Sequence, residues 1–113
     1  MVALDSHEGA DAMIDFYAAR SPNGRKISIM LEECGAAYRV HFVNLEQGEQ
    51  FKPEFRRINP NSKIPAIIDN GEDTPVTVFE SASILIYLAE KFDRLLPTTP
   101  VGRAECISWT VWQ

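Results

Sequence analysis

An acid followed by a hydroxyl, Glu80-Ser81, stands where the apolar run Val76–Phe79 passes into a helical pattern that begins at Ser81. The first turn of a helix leaves backbone N–H groups without acceptors, and the helix dipole adds partial positive charge there. A strand–helix step of this kind is a site for a small carboxylate. Upstream lies Ser62-Lys63-Ile64-Pro65-Ala66-Ile67, where a proline opens another short apolar run. Proline has no N–H to give to a ladder, so it suits the first residue of a strand, and tight turns of this sort are where cis X-Pro bonds occur. A third group, Ser21-Pro22-Asn23, offers a hydroxyl and an amide just before a helical pattern. Such donors can favour the charged form of a thiol and so lower its pKa.

The elements that must position these groups follow from periodicity. Met13–Tyr17 is short, apolar and followed by a Ser-Pro-Asn-Gly loop, which suits a buried strand. Ile27, Met30, Leu31 and Cys34 then fall at i, i+3, i+4, i+7 on one helical face, and Gly35 stops that helix. Tyr38–Leu45 reads as a second strand, and Pro53–Ile58 as a short helix with proline at its first position. Ala66–Asp69 and Pro75–Phe79 are short strands joined by a turn-rich loop, so an antiparallel hairpin is expected. Leu85, Leu88, Ala89 and Phe92 define a buried helix over Ser81–Phe92. The order β-α-β-α-β-β-α predicts a four-stranded mixed sheet with helices on both faces, the thioredoxin-like arrangement. Residues 1–12 read as a flexible arm, 13–93 as this domain, and 94–100 as a proline-stiffened linker. Residues 101–113 read as a helix that packs against something further, since Trp109 and Trp112 on a lone terminal helix would leave a large apolar patch in water; the family resemblance set out below implies that this is the start of an all-helical domain.

The chain of 113 residues suffices for one domain of ordinary composition. A net charge of −5, with no dense basic cluster, argues against wrapping nucleic acid. No apolar run approaches the roughly 20 residues of a membrane span. Cys34 and Cys106 make no disulfide framework, so a cytosolic setting is expected, and the absence of Cys-x-x-Cys excludes a dithiol mechanism. Cys34 lies on the apolar helix face and is expected in the core, with Phe51, Phe55, Tyr87 and Phe92. His7 and His41 read as isolated, with no metal site.

These motifs together resemble the glutathione transferases, most closely the nu-class bacterial disulfide-bond reductases and the related yeast nitrogen-catabolite regulator. The resemblance rests on Ser21-Pro22-Asn23-Gly24-Arg25-Lys26, Gly48 to Phe55, Ile58 to Ile67, Phe79-Glu80-Ser81 and Arg103 to Trp109. It implies glutathione as co-substrate, no metal, a small electrophile or disulfide as partner, and a homodimer. It further implies that Asn23 and Ser21 activate the thiol, with Ser21 standing where many relatives have threonine. Glu80 would take the γ-glutamyl ammonium and Ser81 the adjacent carboxylate. The Ile64 backbone before Pro65 would pair with the cysteinyl unit, and Gln50 and Lys63 would reach the glycyl end. Arg25 and Lys26 add positive potential and are expected to be solvated. A non-catalytic binding or regulatory module remains the alternative reading.

Overall fold

The computed structural model describes residues 2–6 and 13–113. Strands β1 (Val2–Ser6), β2 (Ile14–Ala18), β3 (Tyr38–Phe42), β4 (Ala66–Asp69) and β5 (Val76–Phe79) form one mixed sheet in the order β1-β3-β2-β4-β5. The four strands expected from the sequence are present, with β2 and β3 parallel and β4 and β5 antiparallel. A fifth joins them: Val2–Ser6, expected within a flexible arm, runs antiparallel to β3. Residues 7–12 of that arm, His7 included, lie outside the described residues.

Helix α1 (Pro22–Glu33) links β2 to β3 and buries Ile27, Met30 and Leu31. Its end is a Schellman closure: Gly35 N–H donates to Glu32 O, and Ala36 N–H to Leu31 O. Gly35 takes φ +64°, a conformation that glycine adopts without the clash a side chain would bring. Helix α3 (Ser81–Phe92) lies beside α1 and buries Ile84, Leu88 and Ala89. Alternation along the strands divides the core. Ile14, Phe16, Ala18 and Ile67 face α1 and α3, whereas Tyr17 and Ala66 pack with Val43 and Phe55 on the other side. Phe55, fully buried, comes from α2 (Pro53–Arg56), which is shorter than the Pro53–Ile58 expected. The fourth helix, α4 (Pro100–Trp112), is capped by Thr99 and leaves Trp109 and Trp112 exposed. Among the described residues no helix is long and apolar enough to cross a membrane.

Two corrections concern side chains, and a third side chain forms a network that the sequence did not suggest. Phe51, expected in the core, is 63% exposed, because it closes a 3-10 turn (Glu49–Phe51) on the surface. His41 is not isolated: its Nε2 pairs with Asp15 Oδ1 at 2.7 Å, and its ring stacks on Tyr17. Asp69, the last residue of the apolar strand β4, is fully buried. It accepts from Tyr87 Oη at 2.5 Å and from Gly71 N–H at 2.9 Å, and pairs with Lys91 Nζ at 2.8 Å. Burial alone would raise this carboxyl, but these donors outweigh it and hold the pKa below the usual 3.8. Burial and the Asp69 hydrogen bond push the Tyr87 phenol up to about 12, and the same carboxylate raises Lys91.

A depressed Asp69 pKa contributes stability above the unfolded value, and that contribution disappears as pH falls through the folded one. The raised Tyr87 and Lys91 values act in the opposite sense, at alkaline pH. Urea unfolding should therefore give a plateau between about pH 5 and 9, with a loss below about pH 4 from this group. Asp69→Ala should lose about 2 kcal/mol at pH 7, since it removes the acceptor of the Tyr87 hydroxyl and Gly71 N–H and leaves Lys91 with Glu72 alone. A loss below about 0.5 kcal/mol would show that the network contributes little.

Candidate functional site

Strand register gathers the chemical groups at one end of the sheet. Tyr17 pairs with Ala66 across β2 and β4, and Ala66 pairs with Phe79 across β4 and β5. The segments that adjoin this row are Ala19 to Asn23, Ile64-Pro65 and Glu80-Ser81. Because β3 runs parallel to β2, its own exit loop, with Gln50, leaves from the same end. Val43 N–H donates to Ala18 O at 2.8 Å and fixes where that loop departs. Asp69, by contrast, pairs with Ile14 at the far end.

At the α1 end, Ser21 is extended and its Oγ accepts from Gly24 N–H at 3.0 Å. The hydroxyl proton is left to donate elsewhere. A Cβ on Gly24 would come 2.8 Å from Ala19 O, so only glycine permits this close approach of helix to loop. Asn23 is exposed, and its Oδ1 accepts from Lys26 Nζ at 2.9 Å, which leaves the amide NH₂ as the free donor. Ser21 and Asn23 thus present two donors at one helix start.

The Ile64–Pro65 bond is cis, and Pro65 is buried directly before β4. Asn59 sets up this approach. It is 1% exposed, its Nδ2 donates to Lys63 O at 2.9 Å, and its Oδ1 accepts from Asn61 N–H at 2.9 Å. Sequence reasoning read Asn59 only as part of a turn cluster; the signal available was an asparagine inside Asn-Pro-Asn-Ser. Lys63 is exposed and has no carboxylate within 4.0 Å among the described residues. Gln50 lies in the 3-10 turn, where its buried Oε1 has no hydrogen-bond partner among the described residues.

Glu80 has φ +74° and ψ 124°, which side-chain-bearing residues rarely adopt and which costs on the order of 1–3 kcal/mol. Ser21 caps α1 and Thr99 caps α4, but no side chain caps α3. The first α3 amide with a helical acceptor is Ile84 N–H, bonded to Glu80 O, so the N–H groups of residues 81–83 face out of the helix end. No acid in the first turn offsets the dipole. A carboxylate beside an uncapped helix start is complementary to adjacent ammonium and carboxylate groups, the head of an α-amino acid.

Residues 20–91 match the glutathione S-transferase N-terminal domain. The chain belongs to that family. It is 48% identical over 104 residues to disulfide-bond oxidoreductase YfcG of Escherichia coli, a match covering 89% of this chain and 48% of that protein. It is 43% identical over 77 residues to protein URE2 of Candida glabrata, covering 68% of this chain and 21% of the relative. Among solved structures, glutathione transferase YghU from Streptococcus pneumoniae, complexed with glutathione, superposes with a TM-score of 0.87 at 42% identity, over 96% of this chain and 44% of that one. This transferase domain therefore spans about half the length, or less, of the relatives it matches.

Within the domain, burial argues against two other side chains as the reactive group. Tyr17 lies close in sequence to Ser21 but belongs to the opposite face of the sheet, packed on Phe55 and His41. Burial, reinforced by Asp15, raises its phenol, which disfavours a phenolate. Cys34 is buried among α1 core residues, and desolvation raises its thiol too. Among the described residues no cluster of three or more His, Cys, Asp or Glu could hold a metal.

The strained φ at Glu80 has a direct check. Glu80→Gly should raise the urea-unfolding free energy by about 1 kcal/mol, because glycine adopts positive φ freely. A loss of stability of that size would mean that the side chain, rather than an unfavourable backbone, dominates at this position.

Proposed function

We propose that this domain binds glutathione across the loop-bearing end of its sheet and activates the thiol for attack on a disulfide or a small electrophile. The observation that carries the reading is the uncapped start of α3 beside the strained Glu80, which suits the γ-glutamyl head group. Glu80 would accept from the ammonium, and Ser81, through its hydroxyl and the free N–H groups of the turn, would donate to the carboxylate. The cysteinyl unit would run as a short added strand along Ile64, the residue before cis-Pro65. Lys63 and the Gln50 amide NH₂ would donate to the glycyl carboxylate, and the unpaired buried Gln50 oxygen is left to accept from a ligand N–H.

Ser21 and Asn23 would then hold the sulfur. Two neutral donors favour the thiolate over the thiol, which raises the fraction of nucleophile near neutral pH. In thiol–disulfide exchange the thiolate attacks one sulfur of the disulfide, a new S–S bond forms, and the other sulfur leaves as a thiolate that takes up a proton. The likeness to YfcG supports exchange over conjugation. A cytosolic setting fits the two free cysteines, and the homodimer is proposed from the family resemblance. The second reading is a non-catalytic binding or regulatory module; among solved structures, Ure2p in complex with glutathione is similar to this domain.

Calorimetric titration with reduced and with oxidised glutathione tests the site. Glu80→Ala should weaken binding by ~1.5–3 kcal/mol, the loss expected for a charged hydrogen-bond partner; unchanged affinity would sink the assignment. In a disulfide-reduction assay, Asn23→Ala should lower kcat by roughly tenfold with little change in glutathione affinity, since its donor acts on the thiolate. Binding without turnover in the unaltered protein would favour the second reading.

A further inference from the structure

Asn59 lies in the turn between α2 and Pro65, yet it is 1% exposed, and a polar side chain buried to that degree is kept for the hydrogen bonds it makes. Its own N–H donates to Phe55 O at 2.9 Å, which ties it to α2. Phe55 is itself fully buried and meets Tyr17 of β2 edge to face. From this anchored position Asn59 bonds to three successive residues. Its carbonyl accepts from Ser62 N–H at 3.0 Å, its Oδ1 accepts from Asn61 N–H at 2.9 Å, and its Nδ2 donates to Lys63 O at 2.9 Å. The segment so held includes Ser62 at φ +57°, a conformation that costs a side-chain-bearing residue free energy.

The bond to Lys63 O sets the direction of a group on the ligand side. The Lys63–Ile64 peptide is trans and planar, so its C=O and N–H point in opposite directions. Lys63 O is turned inward to the buried Asn59 amide. Ile64 N–H is therefore turned away from Asn59, and it has no backbone acceptor among the described residues. We propose that Asn59 is a positioning residue: by fixing the Lys63–Ile64 peptide it sets where the cysteinyl unit of glutathione lies, and so whether the sulfur reaches Ser21 and Asn23. This rests on the function proposed above. Asn59 acts through Ile64 and not on the ligand itself. With Lys63 O released, the peptide turns and the added strand shifts with it. A displacement of about 1 Å is enough to take a sulfur out of hydrogen-bonding range of its donors. The γ-glutamyl head, held at Glu80 and Ser81, keeps its own contacts.

Ultraviolet titration of the bound thiol tests this on the 113-residue chain. Reduced glutathione is used at saturation, and S-methylglutathione, which has no ionisable thiol, supplies the reference spectrum. The unaltered chain should hold the thiol pKa below that of free glutathione. Asn59→Ala should bring it back up by about one unit. It should also lower kcat for disulfide reduction roughly tenfold, with KM for glutathione changed by less than about threefold. Ile14→Val, a core truncation at the far end of the sheet, is the control for lost stability alone and should leave the bound thiol unchanged. If Asn59→Ala does not fold, Asn59→Asp takes its place with the same expected shift, since it keeps the acceptor for Asn61 N–H and loses the Nδ2 donor. An Asn59 variant whose bound thiol titrates as in the unaltered chain, or an equal shift in Ile14→Val, would overturn the proposal and leave the glutathione site standing. An unaltered chain that does not bind glutathione, or binds it without lowering its thiol pKa, would reject the function proposed above and this role of Asn59 with it.

Discussion

The row Tyr17, Ala66, Phe79 across three neighbouring strands is the constraint on which the rest of this domain depends. Backbone pairing sets adjacent strands about 4.8 Å apart, so the segments adjoining the row are held within roughly 10 Å laterally. Ser21, Pro65 and Glu80 are distant in sequence yet share one end of the sheet because of this register. A slip of one residue in β4 would turn Ile67 and Asp69 out of the α1–α3 side and bring Ile68 in. The fully buried Ile67 and the satisfied Asp69 carboxylate therefore lock the same register that assembles the site.

The two ends of the sheet are built for different ends. At the Asp69 end the described network matches its donors and acceptors: carboxylate, phenol, ammonium and a loop N–H. At the other end the structure retains features that stability alone would remove. Glu80 holds a costly φ, α3 starts without a side-chain cap, and a buried Gln50 oxygen has no partner among the described residues. Asp93 and Leu95 also take positive φ, beyond the far end of α3, so it is unmet hydrogen-bonding capacity beside a strained residue, rather than strain alone, that marks a binding site.

Local patterns in the sequence were enough for the elements that carry chemistry. Ala66–Asp69 and Ser81–Phe92 match their expected limits, because each combines a clear period with a sharp boundary, proline before one and an acid–hydroxyl step before the other. What escaped was non-local. β1 depends on pairing with β3 some thirty-six residues away, from Ser6 paired to Tyr38 up to Val2 paired to Phe42, and its apolar run, Val2-Ala3-Leu4, is too short to give a strand signal before the polar, acidic residues that follow. His41 finds Asp15, 26 residues distant, only through the parallel alignment of β2 and β3. Asp69 is the strand end the sequence suggests, but its pairing with Tyr87 and Lys91 on α3 depends on tertiary packing that no local pattern shows. Asn59 shows the same limit: its turn was legible, but its bond to Lys63 O, which fixes the approach to Pro65, was not.

The central claim is that one end of the sheet forms a single binding surface. An amide chemical-shift titration of the 113-residue chain with reduced glutathione tests it most directly. The account predicts saturable shifts clustered at residues 21–25, 50–52, 62–66 and 80–83, with the amides around Asp69 and Gly71 unmoved. Shifts concentrated at the Asp69 end, or a folded chain whose amides do not respond at millimolar glutathione, would contradict it.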